Sequence, residues 1–169
     1  GFNIDGAAGA GVIIMNISRD LILNGNLVAN GANAANGSGN AGGGGAAGSI
    51  YVVATNLTGT GYFLAQGGTN GDGSSEDGGV GAGGRIAIYY NSSTIDFSKS
   101  NASRGDTAGS TTSNLGNDGT VVFIDQDDNY AAILSGMLFN VTDNQAGSLF
   151  KPSAATNFTF NNLSFMSPT

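Results

Sequence analysis

The sequence predicts an all-β fold, a parallel β-helix or solenoid built from repeats of about 36 residues. A short apolar strand led by glycine recurs four times, and its leading glycines are 37, 36 and 35 residues apart: Gly11, Gly48, Gly84 and Gly119. Self-similarity at such a period is typical of stacked supersecondary units. The only alanine-rich stretch, 29–35, is interrupted by glycine and asparagine, so no helix is expected.

Each repeat begins with a strand of β-branched and aromatic residues, which favour strands over helices. A second strand is expected within about ten residues of the first. These second strands are predicted at 20–29, 57–65 and 94–100. The third alternates apolar and polar residues, which places Ile95 and Phe97 on one face.

Long Gly/Asn/Ser-rich loops complete the repeats, at 30–47, 66–83 and 105–118. They contain few large side chains, so burial of apolar surface contributes little toward the cost of ordering them, about 1–2 kcal/mol per residue. Their regular lengths nevertheless favour flaps that pack against one another. The glycines are expected to supply tight corners, because a residue without Cβ adopts positive φ readily.

The pattern changes after the fourth strand. A polar turn at 125–129 precedes a further strand at 130–134, and a more aromatic, strand-rich tail follows. We predict glycine-rich repeats over 1–135 and, over 136–169, an atypical cap or the start of a following module. At the other end, 6–11 leads into the first strand without a polar cap. This open first coil predicts upstream sequence or a neighbouring subunit.

Three segments carry a resemblance to a known class: 42–50, 57–68 and 83–90. Their order, Gly-rich flap, strand and Gly-Gly-Arg-Ile-Ala-Ile-Tyr-Tyr, resembles that of extracellular glycine-rich right-handed parallel β-helix repeat proteins. The resemblance covers about residues 6–124 and not the tail. It implies stacked parallel strands in a large surface or matrix protein, and it carries over no catalytic residue.

Composition excludes several functions. Only 10% of residues are charged, the net charge is −7, and the five basic residues are scattered singly, which argues against nucleic acid as a partner. No apolar run approaches the ~18 residues needed to span a bilayer, so membrane insertion is not expected. The chain has no His and no Cys, which excludes Ser-His or Cys-His catalysis and the usual zinc sites.

Eight Asn-X-Ser/Thr sequons indicate N-glycosylation, and this is about twice the number that the composition gives by chance. Three of them, Asn16, Asn56 and Asn91, are predicted to fall at or just after the end of the first strand in successive copies, where sugars would decorate one edge of a stack. The eight are Asn16, Asn36, Asn56, Asn91, Asn101, Asn140, Asn157 and Asn162.

Two groups of acidic residues are candidates for calcium ligands or for a carbohydrate-active site: Asp72, Glu76 and Asp77, and Asp125, Asp127 and Asp128. Neither group has the EF-hand spacing. Both lie in polar turns, where no desolvation would raise the pKa of a catalytic acid. Solvated turn residues are the simpler interpretation, and no cofactor is predicted beyond possible calcium.

Consecutive tyrosines close the third repeat strand. Because neighbouring side chains in a strand point to opposite faces, one ring of Tyr89 and Tyr90 is expected to be exposed and available for a contact. The other strand aromatics are expected to form core ladders.

The sequence therefore predicts a non-enzymatic structural component of an extracellular or cell-surface assembly: a filament, matrix or adhesin segment. Its predicted partners are copies of itself or adjoining segments of a longer chain. The alternatives are a module that binds surface polysaccharide and, less favoured, a carbohydrate-active β-helix enzyme.

Overall fold

The computed structural model describes residues 5–109 and 115–127, together with the backbones of the strands at 130–134 and 162–166. The described part contains strands and a single 3-10 helix and no α-helix. In chain order these are β1 (Val12–Ile22), β2 (Leu27–Val28), β3 (Ser49–Thr58), β4 (Phe63–Leu64), β5 (Arg85–Tyr90), β6 (Ser92–Ser93), the 3-10 helix (Phe97–Lys99), β7 (Thr120–Asp125), β8 (Tyr130–Leu134) and β9 (Asn162–Met166).

Strands β1, β3, β5 and β7 lie side by side and are all parallel. Their register places the four residues that follow the leading glycines in one row: Val12, Ser49, Arg85 and Thr120. We call 12–48 coil 1, 49–84 coil 2 and 85–119 coil 3, and coil 4 begins at Thr120. The predicted solenoid, with a spacing of about 36 residues and about three turns, is confirmed.

The second strand of each coil is shorter than predicted. Asp20, at the start of the predicted strand 20–29, belongs to β1, which continues through a register shift between Ile17 and Asp20. The separate strand β2 has two residues and pairs in parallel with β4. In coil 3 only a single parallel bridge, between Leu64 and Asn101, continues this second row.

The prediction of a strand over 94–100 is wrong, because a 3-10 helix occupies this segment. Asp96 caps it: Oδ1 accepts hydrogen bonds from the Ser98 hydroxyl at 2.6 Å and from the Ser98 backbone N–H at 3.1 Å. These bonds lower the pKa of the Asp96 carboxyl, the hydroxyl contributing most. Local bonds of this kind compete with a strand ladder. Ile95 is nevertheless buried, and Phe97 packs against the core.

The core lies between the long strands and the short second row, filled by alternate residues of each strand. Ile50, Val52, Ile86 and Ile88 are almost completely buried. Phe123 is fully buried, and its ring stacks on Phe97 with centroids 3.8 Å apart and lies 6.1 Å from Phe63. Stacked coils thus build aromatic and aliphatic ladders, as predicted.

The glycine-rich flaps form a hydrogen-bonded bundle. Each flap has an outgoing limb (29–37 in coil 1, 65–73 in coil 2) and a return limb (41–48 and 76–84). In the outgoing limb of coil 1, every third N–H donates to a carbonyl of coil 2: Gly31 to Gln66, Ala34 to Thr69 and Gly37 to Asp72. The return limb repeats the pattern: Ala41 to Glu76, Gly44 to Gly79 and Ala47 to Ala82. Both limbs therefore repeat every three residues, which is the period of a polyproline II helix.

The two limbs also bond to each other through glycine. Gly68 donates its N–H to Gly45, and Gly45 donates to Ala32. A Cβ added to Gly68 would lie 1.9 Å from the Ala32 carbonyl oxygen, a separation that no real Cβ tolerates. Among the described glycines, only Gly59 and Gly109 have positive φ. Close approach, rather than tight corners, is therefore the main reason for glycine in these flaps.

Asparagine completes the bundle on its solvent side. Asn30, Asn33 and Asn36 recur every third residue, and each side-chain oxygen accepts a backbone N–H from the residue 36 positions later. The donors are Gln66 at 2.8 Å, Thr69 at 2.9 Å and Asp72 at 3.0 Å. The asparagine side chains of coil 1 thus supply hydrogen-bond acceptors for backbone N–H groups of coil 2.

The stack changes direction at its C-terminal end. Strand β8 pairs with β7 in the antiparallel sense, and β9 pairs in parallel with β8. The predicted strand at 130–134 is confirmed, and β9, from the predicted cap region 136–169, joins the same sheet. The rest of that tail, and with it the proposed boundary, lies outside the described residues.

Candidate functional site

The first candidate surface is the N-terminal end of the stack, where β1 is an edge strand in the described part. Ile13 and Met15 point toward the core but are only partly buried. Their partners in coil 2, Ile50 and Val52, are 1% and 0% exposed. Coil 1 thus displays toward the N-terminal end the same apolar positions that coil 2 buries.

The backbone at this end is also open. Ser49, Arg85 and Thr120 each donate an N–H to the preceding coil, at 3.2, 3.1 and 2.9 Å. Val12 begins their row, so its N–H points away from coil 2, and so does that of Ile14 two residues later. The edge strand β1 therefore offers hydrogen-bonding groups and apolar side chains together, the combination that supports strand addition.

The second candidate surface is the outer face of the long sheet. Tyr90 points inward, is 5% exposed, and lies 5.3 Å from Phe97 between ring centroids. Tyr89 points outward, where its ring lies 5.5 Å from that of Tyr51, tilted by 50°. Tyr51 is 40% exposed. Of the two tyrosines predicted as contacts, Tyr89 is the one that faces outward, and Tyr51 is an outward ring that the sequence interpretation assigned to the core.

The acidic residues of the second flap do not converge on a metal-binding group. Asp77 accepts an N–H from Gly73 at 3.0 Å, and Glu76 is exposed. A Cβ built on Gly109 would lie 2.6 Å from Asp77 Oδ2 and 2.8 Å from Asp72 Oδ1, so these two carboxylates flank that glycine. Among the described residues, no three His, Cys, Asp or Glu side chains are grouped to hold a metal ion.

The second acidic group lies at the C-terminal edge of β7. Asp125 Oδ1 accepts the backbone N–H of Asp127 at 3.1 Å, a local turn contact. Asp127 in turn accepts from the side-chain amide of Asn91 at 2.6 Å. Asp128 lies outside the described residues. Where the structure describes them, these carboxylates bond within the turn and to the neighbouring coil.

Three of the sequons occupy different rows rather than one edge. Asn16 pairs with Val53 and is exposed on the outer face, whereas Asn56 pairs with Asp20 and Ser92. The prediction that Asn16 and Asn56 lie at or just after the end of the first strand is therefore wrong, whereas Asn91 directly follows β5, as predicted. It placed the end of the first strand too early, because β1 and β3 continue to Ile22 and Thr58.

The sequon side chains also differ in their contacts. The amide nitrogens of Asn56 and Asn91 donate to the carboxylates of Asp20 and Asp127, both at 2.6 Å. Asn36 is exposed and uses its oxygen, while Asn101 accepts the N–H of Ser103 in its own sequon. Asn162 begins β9, and Asn140 and Asn157 lie outside the described residues.

Arg85 is a residue that the sequence interpretation passed over. It begins β5 on the outer face, is exposed, and shares that face with Ala87 and Tyr89. Within the described residues it makes no ion pair, the only such pair there being Lys99 with Asp96 at 3.8 Å. A signal was present in the sequence, since alternation along 85–90 places positions 85, 87 and 89 together.

In the described part of the chain, no helix has the length and apolarity needed to cross a membrane. No protein family, curated protein or solved structure matches this chain. Its assignment to the β-solenoid fold, consistent with the β-helix class, therefore rests on its own strand register.

Proposed function

We propose that this chain is an N-glycosylated, non-enzymatic structural component of an extracellular or cell-surface assembly, of the glycine-rich β-helix kind. The observation that carries the proposal is the open N-terminal end, where Ile13, Met15 and the β1 edge display what the inner coils bury against each other. Another copy of the chain, or an adjoining segment of a longer chain, that adds a strand there would continue the stacking that already holds the coils together.

The flaps support a mechanical role. Limb-to-limb and coil-to-coil hydrogen bonds run through the bundle, among them Gly45 to Ala32, Gly68 to Gly45 and Gly81 to Gly68. Such a network turns a sequence with few large side chains into an ordered layer. A rigid scaffold with an open end suits an assembly subunit better than an enzyme, whose catalytic groups are held within a concave site.

Association through this end is tested by measuring the molar mass of the protein in solution. We expect the chain, 16.7 kDa as a monomer, to form larger species in concentration-dependent sedimentation. Ile14→Pro removes an N–H that points away from coil 2, and proline is tolerated on an edge strand, so this variant should fold and lose association. The matched Ile14→Thr keeps the N–H and should still associate. A wild-type chain that stays monomeric at every concentration contradicts the proposal.

Glycosylation, which the proposal includes, is tested by intact mass of the native protein. We expect Asn16→Gln and Asn36→Gln each to lower the glycan mass, because both side chains are exposed. Asn56→Gln and Asn91→Gln should leave it nearly unchanged, because those amide nitrogens lie against carboxylates. Native protein with the bare polypeptide mass would remove glycosylation from the account.

A further inference from the structure

The outer face of the long sheet carries an apolar patch in which one small residue, Ala87, lies between larger side chains. Ala87 is its smallest member; Tyr51 and Val122 stand across the neighbouring strands, and Tyr89 follows on the same strand. We call this set the outer-face patch: Ile14, Tyr51, Val53, Ala87, Tyr89, Val122 and Ile124. Ile14 is 71% exposed and Tyr51 is 40% exposed, and the other five members are partly exposed.

A positive charge lies beside Ala87 on this face. Arg85 lies on the same face as Ala87 and forms no ion pair among the described residues. Asp125 is paired with Tyr90, five residues farther along the strand and so about 17 Å away. Asp118 precedes Thr120, the strand partner of Arg85, and its Oδ1 accepts the backbone N–H of Arg104. Arg85 is thus the charged residue among the outward positions 85, 87 and 89 of β5.

The size and position of the patch argue against a protein partner. Four strands by two outward positions span about 14 Å by 7 Å between Cα atoms, much less than the ~800 Å² per partner of a stable interface. A peptide adding as a strand needs a sheet edge, and Ala87 lies on an inner strand of the sheet. A ring-shaped ligand with an anionic group suits both the small Ala87 position between larger side chains and the neighbouring Arg85.

We propose that the outer-face patch binds an acidic polysaccharide. A pyranose ring lies over Ala87 with its C–H groups against the rings of Tyr51 and Tyr89, since the faces of aromatic rings carry negative charge density. The sugar carboxylate accepts hydrogen bonds from the Arg85 guanidinium, whose planar fork matches a carboxylate. Ile14 belongs both to the patch and to the open N-terminal end, but the residues that contact the sugar lie on the inner strands β3 and β5, so binding does not depend on association.

The test compares polygalacturonate with its fully methyl-esterified form by isothermal titration. The wild-type protein should bind the acidic polymer and bind the ester much more weakly. Arg85→Gln should weaken binding by about tenfold or more, as expected when a charge-assisted hydrogen bond is lost. Tyr89→Ala should have a similar effect, whereas the exposed arginine variant Arg104→Gln should stay within about twofold of the wild type.

Three results would overturn the proposal: equal affinity for both polymers, an Arg85→Gln variant that binds like the wild type, or no binding of the acidic polymer by folded protein. Circular dichroism of each variant establishes that the sheet is intact. Sedimentation of the same samples separates this result from the association proposal, because a chain that does not assemble can still bind the sugar.

Discussion

Gly68→Ala is expected to lower the free energy of unfolding by about 3 kcal/mol or more, the upper range for overpacking a filled interior. The added Cβ would lie 1.9 Å from the Ala32 carbonyl oxygen and 2.5 Å from its carbon. Both are backbone atoms held in the limb bundle, so no side chain can move aside. Chemical denaturation with a probe of β-structure measures the loss.

Gly25→Ala is the matched control. Nothing lies within 4 Å of a Cβ at this position, and its φ is not in the left-handed region. Its stability should change by less than about 1 kcal/mol, with a small gain from reduced entropy of the unfolded chain. If Gly68→Ala were as stable as Gly25→Ala, the limbs would not be packed as closely as described.

Phe123→Ala is expected to cost about 3–5 kcal/mol, the range for deleting a buried aromatic side chain. Phe123 is 0% exposed and is the shared neighbour of Phe97 and Phe63. Its loss would leave a cavity at the end of the core ladder and remove ring contacts worth about 0.5–1.5 kcal/mol each beyond burial. Equilibrium unfolding by urea gives the difference directly.

Leu115→Ala controls for loss of apolar surface without burial, since Leu115 is 40% exposed. Its effect should stay within about 0.5 kcal/mol. A Phe123→Ala variant that loses no more than the leucine variant would mean that the fourth coil does not pack on the third as described.

The strand register was predictable because it depends on a feature that every coil repeats. The residues after Gly11, Gly48, Gly84 and Gly119 do stand in one row. Glycine at this point is required in several copies, since a Cβ at Gly48 would lie 1.8 Å from the Gly11 carbonyl oxygen. A steric need that recurs once per coil leaves a periodic mark in the sequence.

Strand ends and the 3-10 helix were not predictable from alternation alone. At 94–100 the apolar spacing is that of a strand, yet two hydrogen bonds from Ser98 to Asp96 decide the local backbone. The extension of β1 to Ile22 likewise depends on a register shift after Ile17, and this shift is set by pairing with β3. Such features arise from partners that a linear pattern does not contain.

The flap architecture left a signal that the sequence interpretation did not use. Asn30, Asn33 and Asn36 are spaced by three, and their side chains accept bonds from the next coil with the same period. The three-residue repeat of the flaps was not recognised, because glycine and alanine give no hydrophobic periodicity. The open first coil and Tyr89 were predicted, whereas Arg85 was missed although the alternation along 85–90 places it on the same face as Tyr89.

Parallel stacking at a 36-residue spacing is tested most directly by a disulfide cross-link between two introduced cysteines. The chain has no cysteine of its own, so no other disulfide can form within it. Tyr51 and Ala87 are register partners on adjacent strands. The double variant Tyr51→Cys, Ala87→Cys should therefore form an intramolecular disulfide under mild oxidation, detected by mass spectrometry at low protein concentration. Tyr51→Cys with Val122→Cys spans two strands, about 9.6 Å, beyond the ~7 Å limit for a disulfide, and should stay reduced. Failure of the first pair to close, or closure of both pairs alike, would contradict the stacked coils.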